Sequence, residues 1–214
     1  MNNKKLSIAN YTFFSLVILA TLVLTIVYHL NWLAFVSCAA SIMYVVFLSD
    51  RNLINFFVGF VSTVTYIVIA FQSHLYGEVI FYLAIDIPMI FISFFMWRKH
   101  METKYKVETN RLGVKNMISI FILSSIVVVA YGFLLQMIGG ENTFLDALST
   151  VVSVIATILM ANRYQEQWFM WIIVYVVSVI LWSTTFNLLM LIMSASCLLS
   201  SIIGYITWHY SFKK

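Results

Sequence analysis

The sequence predicts an all-α integral membrane protein of about eight transmembrane helices, and three observations carry that expectation. Apolar runs close to twenty residues recur along the chain, each long enough to cross a hydrocarbon core of ~30 Å. Of the 214 residues, 63% are hydrophobic and only 9% charged, against roughly 25% charged in an ordinary globular domain. The runs are continuously apolar rather than alternating in short pieces, which argues for helices and against a barrel.

The expected spans are residues 11–29, 32–49, 53–72, 76–97, 116–138, 143–161, 168–184 and 187–208. The first follows Lys4 and Lys5 as a signal peptide would, but its apolar run is too long and no small-x-small site closes it. The fourth contains Pro88, the only proline of the chain. A proline removes a backbone N–H, so a kink is expected there. The stretch from Arg98 to Lys115, "RKHMETKYKVETNRLGVK", is the longest polar segment and divides the spans four and four. Its alternating charges suit a linker with a surface-lying turn.

Sidedness follows from the basic residues. With the N-terminus in the cytoplasm, that side carries Lys4, Lys5, Arg51, Arg98, Lys99, Lys104, Lys106, Arg111, Lys115, Arg163, Lys213 and Lys214, which are all twelve Lys and Arg of the chain. The other side has His29, His74, the Gly139-Gly140-Glu141-Asn142 turn and Ser183 to Phe186. Both termini are expected inside a cytoplasmic membrane. The net charge of +4 expresses this sidedness and gives no reason to expect a nucleic-acid polymer as partner. Cys38 and Cys197 fall within spans as small packing residues.

The chain also matches itself at an offset of 112: Leu33, Ser37, Ser41, Arg51 and Phe57 fall on Leu145, Ser149, Ser153, Arg163 and Phe169. The offset carries span two onto six and span three onto seven in the same orientation. A single membrane domain over 1–214 is expected, with parallel repeats whose interface is where transporter sites lie.

Asp86 is the costliest residue. It lies about midway between Gly77 and Trp97, near the bilayer centre, where a carboxylate costs roughly 3 kcal/mol. A role in transport and a structural hydrogen bond to a neighbouring helix both fit it. Glu78, Tyr82 and Asp86 follow at intervals of four. Asp146, Ser149, Thr150, Ser153 and Thr157 form another polar stripe, of the kind that also mediates helix packing. In "NRYQEQWFMWIIVYVVSVILW", Trp168, Trp171, Tyr175, Ser178 and Trp182 share one helical face. Aromatic belts at the interfaces account for Trp168 and Trp182. Trp171 and Tyr175 lie deeper, where rings can stack on a flat or cationic ligand. No zinc-protease, nucleophile-elbow, P-loop or Cys/His metal pattern occurs, so neither an enzyme nor a metal or other cofactor is expected.

Three segments carry a resemblance to a known family. "VFLSDRNLINFFVGFVSTVTY", "LYGEVIFYLAIDIPMIFISFFMW" and the Glu-x-Trp-x-x-Trp pattern of "RYQEQWFMWIIVYVVSVILW" resemble, in order, motifs of the PnuC-type vitamin transporters, over roughly residues 40–210. The resemblance implies a 3+1+3 helix arrangement after an extra first helix. The parts would be 1–31, a first repeat 32–97, a linker 98–115, a linker helix 116–138 and a second repeat 143–208. It also implies a homotrimer and facilitated diffusion of a vitamin precursor, with nicotinamide riboside as the default substrate. Trp168 and Trp171 match the family's ring-stacking tryptophans. The chain departs at three amide positions, where Tyr82, Ile90 and Tyr175 stand.

The expected substrate site is therefore Trp168, Trp171, Tyr175, Asp86, Tyr82, Ser178 and Ser153. A deoxynucleoside or thiamine carrier of the same fold is the alternative. A non-transporting membrane subunit is the rival of another class.

Overall fold

The structure, a computed structural model, describes residues 3–103, 106–140 and 142–211. Lys104, Glu141, Lys213 and Lys214, which enter the sidedness argument, lie outside the described residues. Among the described residues, eight helical spans are long and apolar enough to cross a membrane. They are α1 (Asn3–Val27), α2 (Trp32–Ser49), α3 (Ile54–Gln72), a fourth span in two parts, α4 (Tyr76–Phe81) and α5 (Ile87–Arg98), then α6 (Val114–Met137), α7 (Thr143–Ala161), α8 (Gln167–Thr184) and α9 (Leu188–Ser211).

The fourth span departs from a simple proline kink. Between α4 and α5 the chain makes a π-helical turn, Tyr82–Asp86, in which the amide of Ile87 donates to the carbonyl of Tyr82 five residues back. Pro88 follows in the first turn of α5. A proline ring presses on the carbonyl four residues before it, and a widened turn moves that carbonyl away. The strain of Pro88 is thus absorbed one turn earlier, at the residues that bear Tyr82 and Asp86.

Six spans form a closed ring. α2 packs on α3, α3 on both halves of the fourth span, and the fourth span on α7; then α7 packs on α8, α8 on α9, and α9 back on α2. α1 lies outside this ring against α2 and α9, and α6 lies outside against α7.

The turns repeat at the offset of 112. Arg51 and Arg163 both have φ of 62°, and His74 (55°) falls on Phe186 (53°). Arg51 and Arg163 each sit just past a helix end, where a left-handed residue lets the last carbonyls be satisfied. After α2, Asn52 N donates to Phe47 O and Arg51 N to Leu48 O; after α7, Tyr164 N donates to Leu159 O and Arg163 N to Met160 O. The two halves therefore share turn chemistry as well as five identical residues.

Two tryptophans fasten the halves to each other. Trp97, near the end of α5, donates its indole N–H to Met160 O on α7 at 2.9 Å. Trp208, near the end of α9, donates to Ser49 O on α2 at 3.2 Å. The last carbonyls of a helix have no partner within it, and each of these ends borrows a donor from the other half.

The polar linker is more ordered than a surface-lying turn. Strands β1 (Met101–Thr103) and β2 (Lys106–Val107) pair antiparallel. Arg51 reaches both Glu102 Oε2 (3.1 Å) and Val107 O (2.9 Å). The chain then docks on the α7–α8 turn, where Asn110 N donates to Arg163 O at 2.8 Å and Gln165 N to Asn110 O at 2.9 Å. Leu112 N donates to Glu166 Oε2 at 2.9 Å. The glutamate of the Glu-x-Trp-x-x-Trp pattern thus serves as an anchor for the linker. Burial pulls the guanidinium of Arg163 below its usual range, and Glu108 opposes that shift. Cys38 and Cys197 are buried and free.

Candidate functional site

A small cavity lies inside the helix ring. It is lined by Ser41 and Tyr44 of α2, Gly59, Ser62, Thr63 and Tyr66 of α3, Tyr82, Asp86 and Ile90 of the fourth span, Trp171, Val174, Tyr175 and Ser178 of α8, and Met193 of α9. Asp86 is the only charged member of that set. Asp86 is 7% exposed, and its carboxylate accepts from Thr63 Oγ1 at 2.6 Å. That answers part of the sequence question: Asp86 does make a hydrogen bond to a neighbouring helix, and it faces the cavity while doing so.

Aromatic rings make most of the wall. Trp171 and Tyr175 lie with ring centroids 5.9 Å apart and planes 24° from parallel, as their spacing of four on α8 allows. The indole N–H of Trp171 has no protein partner. Tyr66 and Tyr82 pack with ring centroids 4.9 Å apart and planes tilted by 56°. Tyr44 is pressed toward α3 because Gly59 has no side chain; a Cβ there would stand 2.9 Å from its ring. Ser41 and Ser62 share a hydrogen bond of 2.7 Å.

Of the seven residues expected at the site, Trp171, Tyr175, Asp86, Tyr82 and Ser178 line this cavity, and Trp168 and Ser153 do not. Trp168 is fully buried at the linker end of the bundle, edge-on to Trp208 at 5.8 Å and hard against Gly204. It is neither a belt residue nor in contact with the cavity, because the helical turn between it and Trp171 separates two layers. Ser153 is buried on α7, and α7 contributes nothing to the lining. Periodicity on α7 identified a buried face without saying what covers it.

Sequence reasoning missed Tyr44, Thr63 and Tyr66. Nothing in α2 or α3 taken alone singles them out. Trp182, expected at an interface, is fully buried and donates its indole N–H to Tyr66 Oη at 3.1 Å. Tyr66 in turn donates to Glu78 Oε2, while Ser149 Oγ donates to Glu78 Oε1 at 2.9 Å. Asp146 accepts the backbone amides of Gly77 (2.7 Å) and Glu78 (3.0 Å). A carboxylate at the first amides of a helix is favoured by their exposed N–H groups and the dipole, so Asp146 of the second half caps α4 of the first.

The cavity measures about 40 Å³, whereas ligand clefts run to about 300–1,000 Å³. Side chains or helices must shift for a nucleoside-sized molecule to enter.

A closed ring of apolar spans around an aromatic cavity with one carboxylate defines a multi-pass membrane transporter for a small solute. The family model described as nicotinamide mononucleotide transporter matches residues 31–210, and the chain belongs to that family. Among its relatives are the nicotinamide riboside transporters PnuC of Haemophilus influenzae and Neisseria mucosa. The first is 34% identical over 181 residues, covering 83% of this chain and 79% of the relative. The second is 32% identical over 189 residues, covering 83% and 72%. The crystal structure of the vitamin B3 transporter PnuC superposes with a TM-score of 0.86 at 29% identity, covering 95% of this chain and 92% of that one.

Proposed function

We propose that this transporter imports a positively charged, ring-bearing vitamin precursor, with nicotinamide riboside as its substrate, by facilitated diffusion. The observation that carries the reading is Asp86, the single charged side chain among the described residues that line an otherwise aromatic and hydroxyl-bearing cavity. A permanent pyridinium cation crossing ~30 Å of hydrocarbon needs a counter-charge midway. Trp171, Tyr175, Tyr82 and Tyr66 offer faces to the same cation. Among the described residues, no Lys or Arg lines the cavity. A mononucleotide, whose phosphate would meet no cation there, fits it less well than a riboside.

The proposal has both termini in the cytoplasm. In support, the Arg51 turn, the linker and the Arg163 turn are joined by hydrogen bonds at one end of the bundle. The division into an extra first helix, repeats at 32–97 and 143–208 and a linker helix at 116–138 is supported by the matched turns. α1 and α6 hold comparable places outside the ring, which adds a fourth helix to each half. A homotrimer in the cytoplasmic membrane completes the reading, and the family resemblance supports it.

One observation favours a second reading. Tyr82, Ile90 and Tyr175, which stand where the resemblance places amides, all line the cavity. Without an Asn or Gln to meet a carboxamide, thiamine or a deoxynucleoside becomes the competing substrate. Uptake into vesicles decides between the charges. Import of a cation gains about 2.3 kcal/mol per 100 mV, inside negative. Nicotinamide riboside uptake that rises with an imposed potassium-diffusion potential supports the proposal. Uptake that ignores the potential, with a deoxynucleoside transported instead, overturns it.

A further inference from the structure

We propose that Glu78, which does not touch the cavity, is a second negative charge serving it, delivered through the ring of Tyr66. The inference rests on the cation reading above.

Tyr66 is the link. Its ring is part of the cavity wall, and its hydroxyl is committed on both sides. An indole N–H can only donate, so Trp182 Nε1, at 3.1 Å, uses the phenol oxygen as acceptor. The phenol proton then points to Glu78 Oε2. The other carboxylate oxygen accepts from Ser149 Oγ at 2.9 Å. Both oxygens of the Glu78 carboxyl are thus met by hydroxyls, an arrangement that favours its charged form. Glu78 is 3% exposed and Tyr66 4%, so water does not screen the arrangement.

A phenol that donates to a carboxylate shifts electron density into its ring. The ring face becomes more negative, and a cation resting on it is held more strongly. Glu78 is thus a positioning residue on two counts: it fixes the Tyr66 ring against rotation, and it enriches the ring that Tyr66 contributes to the cavity wall. Asp146 does not compete for this role, since its two oxygens are taken by the amides of Gly77 and Glu78. Asp86 and Glu78 then serve the substrate in different ways: one directly, one through a ring.

The test separates charge from shape. Purified protein is titrated with nicotinamide riboside, a pyridinium cation, and with its reduced dihydropyridine form, neutral and nearly the same shape. The ratio of the two dissociation constants is the charge preference. Glu78→Gln is expected to lower that preference about three- to tenfold, the size of a cation–π contribution. Tyr66→Phe keeps the ring, removes only the hydroxyl, and is expected to do the same. It stands in if Glu78→Gln does not assemble. A preference unchanged in both variants, even where both ligands bind more weakly, overturns the inference and assigns Glu78 a structural role. A wild type with no preference for the cation overturns the substrate reading itself, a distinct result because it is read before any substitution.

Discussion

Thr63 Oγ1 stands 2.6 Å from Asp86 Oδ2, joining α3 to the π-helical turn of the fourth span. The contact satisfies one carboxylate oxygen and leaves Asp86 in the lining of the cavity. Hydrogen bonds to an ionised acceptor are short and roughly twice as strong as neutral ones, so in the proposed cation site Thr63 would hold the Asp86 charge in place without neutralising it. Asp86→Asn keeps an acceptor for Thr63 and removes the charge. Nicotinamide riboside affinity is expected to fall by about 2 kcal/mol or more, roughly 30-fold, as when a buried charge loses its partner. Thr63→Val should cost less, about 1–2 kcal/mol. Calorimetric titration of the purified variants gives both numbers, and equal losses would count against the direct role of Asp86.

Trp171 and Trp182 share a face of α8 and are expected to answer differently. Trp171→Ala removes a cavity wall, and its effect belongs in affinity: about 0.5–2 kcal/mol, or roughly 2- to 30-fold. Trp182→Ala opens a void in a fully buried layer and removes the indole donor to the Tyr66 hydroxyl. Its main effect is a stability loss of about 3–5 kcal/mol. Thermal unfolding without ligand, compared with titration, separates the two.

The paired indoles at the linker end should behave as equivalents. Trp97→Phe and Trp208→Phe each leave a helix-terminal carbonyl without its borrowed donor. Each is expected to destabilise the fold by about 1 kcal/mol. The rings are 6.1 Å apart, so the double variant should deviate from additivity. A thermal-shift series on the two singles and the double checks this, and a loss confined to one of them would break the equivalence of the halves.

Sidedness is open to chemical labelling. Single cysteines placed at Gly140 or Thr184 should react with an impermeant reagent applied to intact cells. A cysteine at Thr109, in the docked linker, should react only after lysis. External reaction at Thr109 would invert the proposed topology.

Much of the architecture was legible because a bilayer leaves few choices. A run of twenty apolar residues must satisfy its backbone internally, so the spans and their turns follow from the sequence alone. Asp86 was legible for the same reason: a carboxylate at that depth is too costly to be incidental. The face of α8 was visible in its periodicity, which placed Trp171, Tyr175 and Ser178 together. Periodicity could not say where along that face the cavity begins and ends. Trp168 and Trp182, on the same stripe, are covered by Trp208 and Tyr66, residues 40 and 116 positions away. Tyr44, Thr63 and Tyr66 gave no local signal, because a tyrosine or threonine inside a span is ordinary until another helix defines what it faces. Glu78 and Asp146 are joined to each other's helices only when the two halves meet. The sequence alone determined the spans and the costly carboxylate, local consequences of hydrophobicity and desolvation, and it carried the charge asymmetry and the family resemblance in the order of its residues. Only the tertiary structure decided which rings enclose the cavity and which carboxylates hold it together, because those contacts arise from packing between segments far apart in the chain.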